Sequence, residues 1–348
     1  MLTETISNQV VINPSRIMQT GFAFWSSKVL LTAVGFDLFT LLSDDSKTSA
    51  EIKESLQLHG RGIEDFLDAL VAMKFLCRSG QGSQAKYANS LETDIFLNKK
   101  RPSYMGGILA MANNRVYSFW GDLGEGLKTG LPQNEVKNGG DGVFAALYAD
   151  EKRLEEFIHA MGGIQLGNFI AFANQFNFSG YYTHCDIGGA GGDLSIQIAI
   201  HQPQIISTTF DLPEVAPIAQ RNINNNEVAD RVQVVSGNFF TDPFPQADII
   251  TMGNILHDWS LEDKKILIKK AYDALPDGGA FVVIENVIDD ERKENAFGLL
   301  MSLNMLLETF GGFDYTAADF TGWAKEAGFK QVDIMHLTGP SSALIAYK

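Results

Sequence analysis

The chain has 348 residues, a formal net charge of −15 and an apolar share of 45%. That length allows two or three domains with ordinary hydrophobic cores. The excess of acids excludes a surface built for nucleic acid or anionic lipid, since either needs a basic patch, and no apolar run reaches the length of a membrane span.

The opening Met-Leu-Thr-Glu-Thr-Ile has no basic lead into an apolar stretch, unlike a secretory leader. Cys77 and Cys185 lie far apart without metal-ligand spacing. They read as plain buried thiols of a cytoplasmic, reducing setting, and no metal site is expected.

Residues 14–43 place Ile17, Phe24, Trp25, Val29, Leu30, Val34, Leu38, Leu41 and Leu42 at helical spacing, broken at Gly21 and Gly35. A stretch apolar around its circumference is expected to be buried, in its own core or against a partner. Thr48 or Ser49 can cap a following helix. A helix over Ile63–Lys74 and two short strands around Phe75–Arg78 and Tyr87–Asn89 complete a winged-helix pattern. Glu64, Asp65 and Asp68 on that helix would repel phosphates, so dimerisation is the expected use.

Residues 104–178 predict further helix, with a polar break from Pro132 to Gly142. Phe119, Trp120, Phe144, Tyr148, Phe157, Met161, Phe169, Phe172 and Phe176 supply either core or the wall of a substrate pocket. From residue 181, strands and helices alternate. Strands are expected to end near Asp186, at Phe210, at Val235, at Met252 and at Glu285, then to cover Val332–Leu337 and Ala343–Tyr347. Alternation of this kind gives a mostly parallel sheet with helices on both faces and ligands beyond the carboxyl ends of its strands.

The first of those strands runs into Asp186-Ile-Gly-Gly-Ala-Gly-Gly192, followed by a helical apolar pattern from Leu194. Small residues between strand and helix let backbone N–H groups approach a polar ligand closely. A dinucleotide fingerprint fails, because Leu194 or Ala190 falls where glycine is needed, and a phosphate loop would need a terminal Gly-Lys-Ser/Thr. The remaining pattern resembles the acid-and-glycine loop of class I S-adenosylmethionine (SAM) methyltransferases, with Ala190 in place of the middle glycine. Asp211 ends the second strand, where a carboxylate can take both ribose hydroxyls; it can equally cap the next helix, since Pro213 suits a first turn.

Further along, Phe210-Asp-Leu-Pro213, Gly237-Asn-Phe-Phe240, Ile255-Leu-His-Asp-Trp259, Ala274-Leu-Pro-Asp-Gly-Gly279 and Gly311-Gly-Phe-Asp-Tyr-Thr316 follow the loop in order. From about residue 14 onward the chain resembles the small-molecule O-methyltransferases related to caffeic acid and hydroxyindole methyltransferases and to bacterial relatives acting on secondary metabolites. The resemblance implies an α/β fold: a Rossmann-like SAM-methyltransferase sheet behind an N-terminal winged-helix dimerisation domain. The expected domains are 1–103 for dimerisation, 104–180 as helical linker and pocket, and 181–348 for SAM binding and catalysis, in a homodimer without nucleic-acid or membrane partners.

It also implies roles for single residues. SAM would be held by Asp186, Gly188, Gly189, Gly191, Asp211, Leu212, Gly237, Asn238, Phe239 and Asn254, with Phe239 on the adenine face and the Asn238 amide at its edge. Gly253 stands where plant members have a lysine, so that contact is lost. His257 matches the general base, suited by an imidazole pKa near working pH. Glu285 matches an acid that orients it, and Asp258 matches the residue after the base, which holds the loop. Asp314 stands where glutamate is usual, so its shorter side chain reaches less far. Phe157, Met161, Met301, Asn304 and Met305 are expected at an aromatic or polycyclic acceptor. Relatives of this fold that use SAM for C-methylation or non-methyl chemistry, and a winged-helix regulator that senses SAM, are the alternatives.

Overall fold

The structure is a computed structural model that describes residues 12–139, 148 and 150–348. Phe144 and the end of the polar break, Gly140–Gly142, lie outside the described residues. The chain divides into two compact units between Asn113 and Asn114.

In the first unit, helices Ser15–Gly21, Ala23–Gly35 and Leu38–Leu41 lead to strand β1, Lys47–Thr48. The Thr48 hydroxyl accepts from the Glu51 N–H and the Glu51 carboxylate accepts from the Thr48 N–H. This reciprocal box starts helix Ser49–Ser55. Helix Ile63–Ala72 and strands β2, Leu76–Ser79, and β3, Lys86–Asn89, complete the wing as an antiparallel sheet in the order β1-β3-β2. Ala33, Leu38, Phe39, Ile52, Leu67 and Leu70 form the core. Burial of the first helices in this unit's own core covers only their later part. Ala33, Val34 and Leu38 are buried, whereas Ile17, Met18, Phe24 and Trp25 are exposed in the single chain. Glu64 and Asp65 face solvent, while Asp68 accepts from Arg78 and the Tyr87 hydroxyl. Cys77 is exposed rather than buried, because it sits on β2, an edge strand of this small sheet; Cys185 is buried.

The second unit is built on a seven-stranded sheet. Its strands are β4, Thr183–Ile187; β5, Ile206–Asp211; β6, Val232–Ser236; β7, Ile249–Gly253; β8, Ala280–Glu285; β9, Gln331–His336; and β10, Ser342–Tyr347. The order is β6-β5-β4-β7-β8-β10-β9, parallel except that β10 runs against both neighbours. β8 is buried along its whole length, as expected for a central strand covered on both faces. One face packs Phe281, Leu267 and Phe320 under helices Leu261–Ala274 and Ala317–Ala327. The other packs Val282, Ile345 and Leu194 with Phe169, Phe172 and Phe176 of helix Glu151–Gln175. Those three phenylalanines are therefore core and not pocket wall. The polar break is also partly buried: Gln133 and Asn134 are bonded to the end of helix Ala296–Glu308 at Leu307 and Glu308.

Strand order reverses between β4 and β7. The crevice beyond their carboxyl ends is where an open α/β sheet can admit a ligand without opening its ladder.

Candidate active site

Two clusters of buried and half-buried carboxylates stand at these strand ends. The first surrounds the turn from β4 into helix Asp193–His201. Gly188 has φ of 70° and Gly192 of 76°, both left-handed and suited to glycine. Ala190, the departure from an all-glycine loop, also has a positive φ, 45°, a conformation costly for a residue with a Cβ. The loop passes so close to β5 that a Cβ on Gly189 would lie 2.2 Å from Thr209 Oγ1.

Ala190 N–H donates to Asp211 Oδ2 at 2.8 Å and Leu212 N–H to Oδ1 at 2.7 Å. Asp211 thus braces the loop and its own turn, but it does not cap the next helix: that helix, Ala216–Asn225, starts from Val215 without a side-chain cap, four residues further on. Asp186 is buried, and its Oδ1 accepts from Thr251 Oγ1 at 2.6 Å. Burial first, then the charges of Asp211 and Asp193, push its carboxyl up to about 7 against the Thr251 hydrogen bond. Burial also raises Asp211 and Asp193. Phe157, expected at the acceptor, packs against the buried cluster Leu154, Ile158, Val215 and Ile218, as do Ala190 and Leu212. Asn238 is exposed and ties its own turn, with its side-chain oxygen accepting from Phe240 N–H. Phe239 makes a tilted ring contact with Phe240 and an edge contact with Trp259, and lies near Gly188. Gly237 must lack a side chain, because a Cβ would meet the Phe210 ring at 2.5 Å. Asn254 adopts φ of 52° as the chain leaves β7.

The second cluster follows β7 and β8. His257 and Asp258 occupy the short turn Leu256–Asp258, and His257 is buried. Its Nδ1 lies 3.3 Å from Asp314 Oδ1 and its Nε2 3.6 Å from Asp258 Oδ1. Both are ion-pair distances; neither aligns as a hydrogen bond. The shorter Asp314 therefore does reach the imidazole. Glu285 acts differently from the expected orienting acid: its Oε1 accepts from the His257 backbone N–H at 3.0 Å, fixing the turn and not the ring. The Gly312 Cα packs against that turn so closely that a Cβ would stand 2.6 Å from the His257 carbonyl. Burial lowers the His257 pKa, but Asp258, Asp314 and Glu285 outweigh it and raise it to about 10. Burial lifts Asp258 to about 6 and raises Glu285.

Residues the sequence reading passed over complete this cluster. Lys264 is fully buried, donates to the Trp259 carbonyl at 2.5 Å and lies 3.7 Å from the Phe313 ring centre. Burial lowers its pKa to about 8 despite the surrounding carboxylates. A lone lysine in the apolar phase of its helix is the signal that could have found it. Helix Ala296–Glu308, carrying Met301, Asn304 and Met305, abuts this end: Ser302 Oγ accepts from Asp314 N–H, and Asn304 Oδ1 accepts from Trp120 Nε1 at 2.9 Å. Met305 is buried, while Met161 and Met301 are half-buried.

The first cluster suits the expected donor on one observation of an orphaned group: the Thr209 hydroxyl under the loop is buried without a hydrogen-bond partner. Buried carboxylates braced by neutral N–H and O–H groups also suit a cationic ligand carrying hydroxyls.

Comparison with known proteins agrees. Residues 120–330 match an O-methyltransferase domain and residues 18–99 an O-methyltransferase dimerisation domain. The chain is similar to the tetracenomycin polyketide synthesis 8-O-methyl transferase TcmO of Streptomyces glaucescens, 37% identical over 97% of this chain and 98% of the relative. It is also similar to the N,N-dimethyltransferase OxyT of Streptomyces rimosus, 30% identical over 90% of each. A crystal structure of human N-acetylserotonin methyltransferase in complex with SAM superimposes with a TM-score of 0.89 at 26% identity, covering 98% of this chain and 99% of that one.

Proposed function

The chain belongs to the SAM-dependent O-methyltransferase family, and on that premise we propose that it methylates a hydroxyl of an aromatic or polycyclic secondary metabolite with His257 as general base. When bound, SAM supplies an already activated methyl group. The residues must then hold donor and acceptor in line, keep water out and take one proton. Asp186 faces the cationic amino-acid end of the donor, Asp211 its ribose, and Phe239 the adenine. Gly188, Gly189, Gly191 and Gly237 let it approach the backbone. Met161, Met301, Asn304 and Met305 line the acceptor.

The observation that carries this reading is the buried imidazole between two carboxylates. Asp314 stands behind Nδ1, and Asp258 stands beside Nε2. Because these acids hold His257 protonated to well above its usual pKa, its neutral, proton-accepting form grows as pH rises. Methyl transfer should therefore accelerate toward alkaline pH.

The test incubates the enzyme with SAM and a panel of polycyclic phenols and reads the gain of one methyl by mass. His257→Ala should lose roughly 10²–10⁴-fold in rate. A rate within a few-fold of wild type would remove His257 from that role. The similarity to an N,N-dimethyltransferase favours an amine acceptor as the second reading, so aryl amines belong in the panel.

We also infer a homodimer through the first unit, supported by the exposed Ile17, Met18, Phe24 and Trp25. A monomer by light scattering at working concentration would refute it.

A further inference from the structure

β4 carries two polar residues unusual for a central strand, His184 and Asp186. Two positions apart, they share one face of the sheet. Ser207 on β5 is the register partner of His184, and Thr251 on β7 is the register partner of Asp186. All four side chains are buried.

Their distances link them in series. Ser207 Oγ lies 3.1 Å from His184 Nδ1, His184 Nε2 lies 2.9 Å from Thr251 Oγ1, and Thr251 Oγ1 lies 2.6 Å from Asp186 Oδ1. Burial lowers the His184 pKa to about 3, so the ring is neutral and carries one N–H. Thr251 has a single hydroxyl proton. An ionised Asp186 can only accept, so that proton is committed to Oδ1. Thr251 Oγ1 must then accept from His184 Nε2–H, and Nδ1 must accept from the Ser207 hydroxyl. Every donor in the chain points toward Asp186.

We propose that Ser207, His184 and Thr251 form a hydrogen-bonded wire that favours the ionised form of Asp186 and holds it in one rotamer for the cationic end of the methyl donor, with His184 and Thr251 as positioning residues of donor binding. This rests on the donor reading above. The wire answers a specific problem. Asp186 is buried and faces the charges of Asp211 and Asp193, all of which favour its protonated form near neutral pH. A lysine would stabilise the carboxylate but compete with the ligand's own charge. A neutral imidazole adds donor strength without a cation, and hydrogen bonds in series polarise one another.

The test is calorimetry of SAM and of S-adenosylhomocysteine across pH. Thr251→Val keeps the shape and removes the last donor, so affinity at pH 7 should fall roughly 10-fold and recover at alkaline pH, as a loss of about one pKa unit implies. Thr251→Ser should restore both affinity and profile, and Ser207→Ala should move them slightly in the same direction. Should Thr251→Val fail to fold, the double variant His184→Leu/Thr251→Val replaces the buried polar pair with apolar groups and should reproduce the shifted profile. Wild-type affinity in a folded variant would overturn the proposal, and so would a uniform loss with an unmoved pH midpoint. In the wild-type enzyme, assigned imidazole ¹⁵N shifts should report the neutral Nε2–H tautomer of His184 from about pH 5 to 8; an imidazolium or Nδ1–H form would also overturn it. Wild-type protein that bound neither SAM nor S-adenosylhomocysteine would instead sink the donor reading.

Discussion

The glycine loop and the His257 turn stand at carboxyl ends of the same sheet, and each gathers three buried or half-buried carboxylates. Asp186, Asp193 and Asp211 meet hydroxyl, amide and backbone donors. Asp258, Glu285 and Asp314 surround the imidazole of His257, with the Lys264 ammonium close by. The same acid chemistry is thus used in two ways. At the loop, negative charge is braced by neutral donors, which in the proposed function leaves it for the donor's cation. At the turn, it is matched within the protein and raises the pKa of the His257 imidazole. The difference lies in the partners and not in the acids.

The largest expected effect separates the two ends by what they bind. Asp186→Ala should weaken S-adenosylhomocysteine binding by about 10²-fold, the scale of removing one member of a desolvated charge pair. His257→Ala should leave that affinity within a few-fold while abolishing most turnover. Calorimetry in which both variants lost donor affinity equally would erase the distinction.

A pH series sharpens it. A general base works when deprotonated, so kcat/KM for the acceptor should rise with pH through the His257 pKa, raised to about 10. Asp314→Asn removes one of the acids that raise it and should move this limb to lower pH by about one unit. Lys264→Met removes a cation near the same acids and should move the limb upward by less. Donor affinity has a separate limb. It should fall as pH drops through the Asp186 pKa near 7, because only the carboxylate holds a cation. Neither substitution at the turn should move that second limb.

The sequence exposed these two ends unequally. The alternation of strands and helices, the glycine turn and the strand-end residues Asp211 and Glu285 could be read directly, because backbone geometry and strand termini leave local marks. The wire behind Asp186 could not. His184, Ser207 and Thr251 come from three strands, and only sheet register brings them together. Thr251 is a lone polar residue in its strand, while β4 and β5 carry several, and neither pattern names a partner. The reach of Asp314 was illegible for a similar reason. Side-chain length alone argues against contact, but Gly312 lets its segment pack directly on the His257 turn. The phenylalanines at 169, 172 and 176 were ambiguous because core and pocket wall share one composition.

The smallest effect tests whether Asp314 acts through charge or through scaffold. Thr316 caps helix Ala317–Ala327 two residues beyond Asp314, in a box where its hydroxyl accepts from Asp319 N–H at 3.0 Å and Asp319 Oδ2 accepts from Thr316 N–H at 3.0 Å. Thr316→Val removes the cap while leaving the charges around His257 in place. It should cost about 1 kcal/mol of stability, visible as a lower denaturation midpoint. If the pH limb stays where the wild type has it, the shift in Asp314→Asn belongs to the carboxylate. If loosening the helix start moves the limb as far as Asp314→Asn does, then the position of the segment sets the base, and its charge does not.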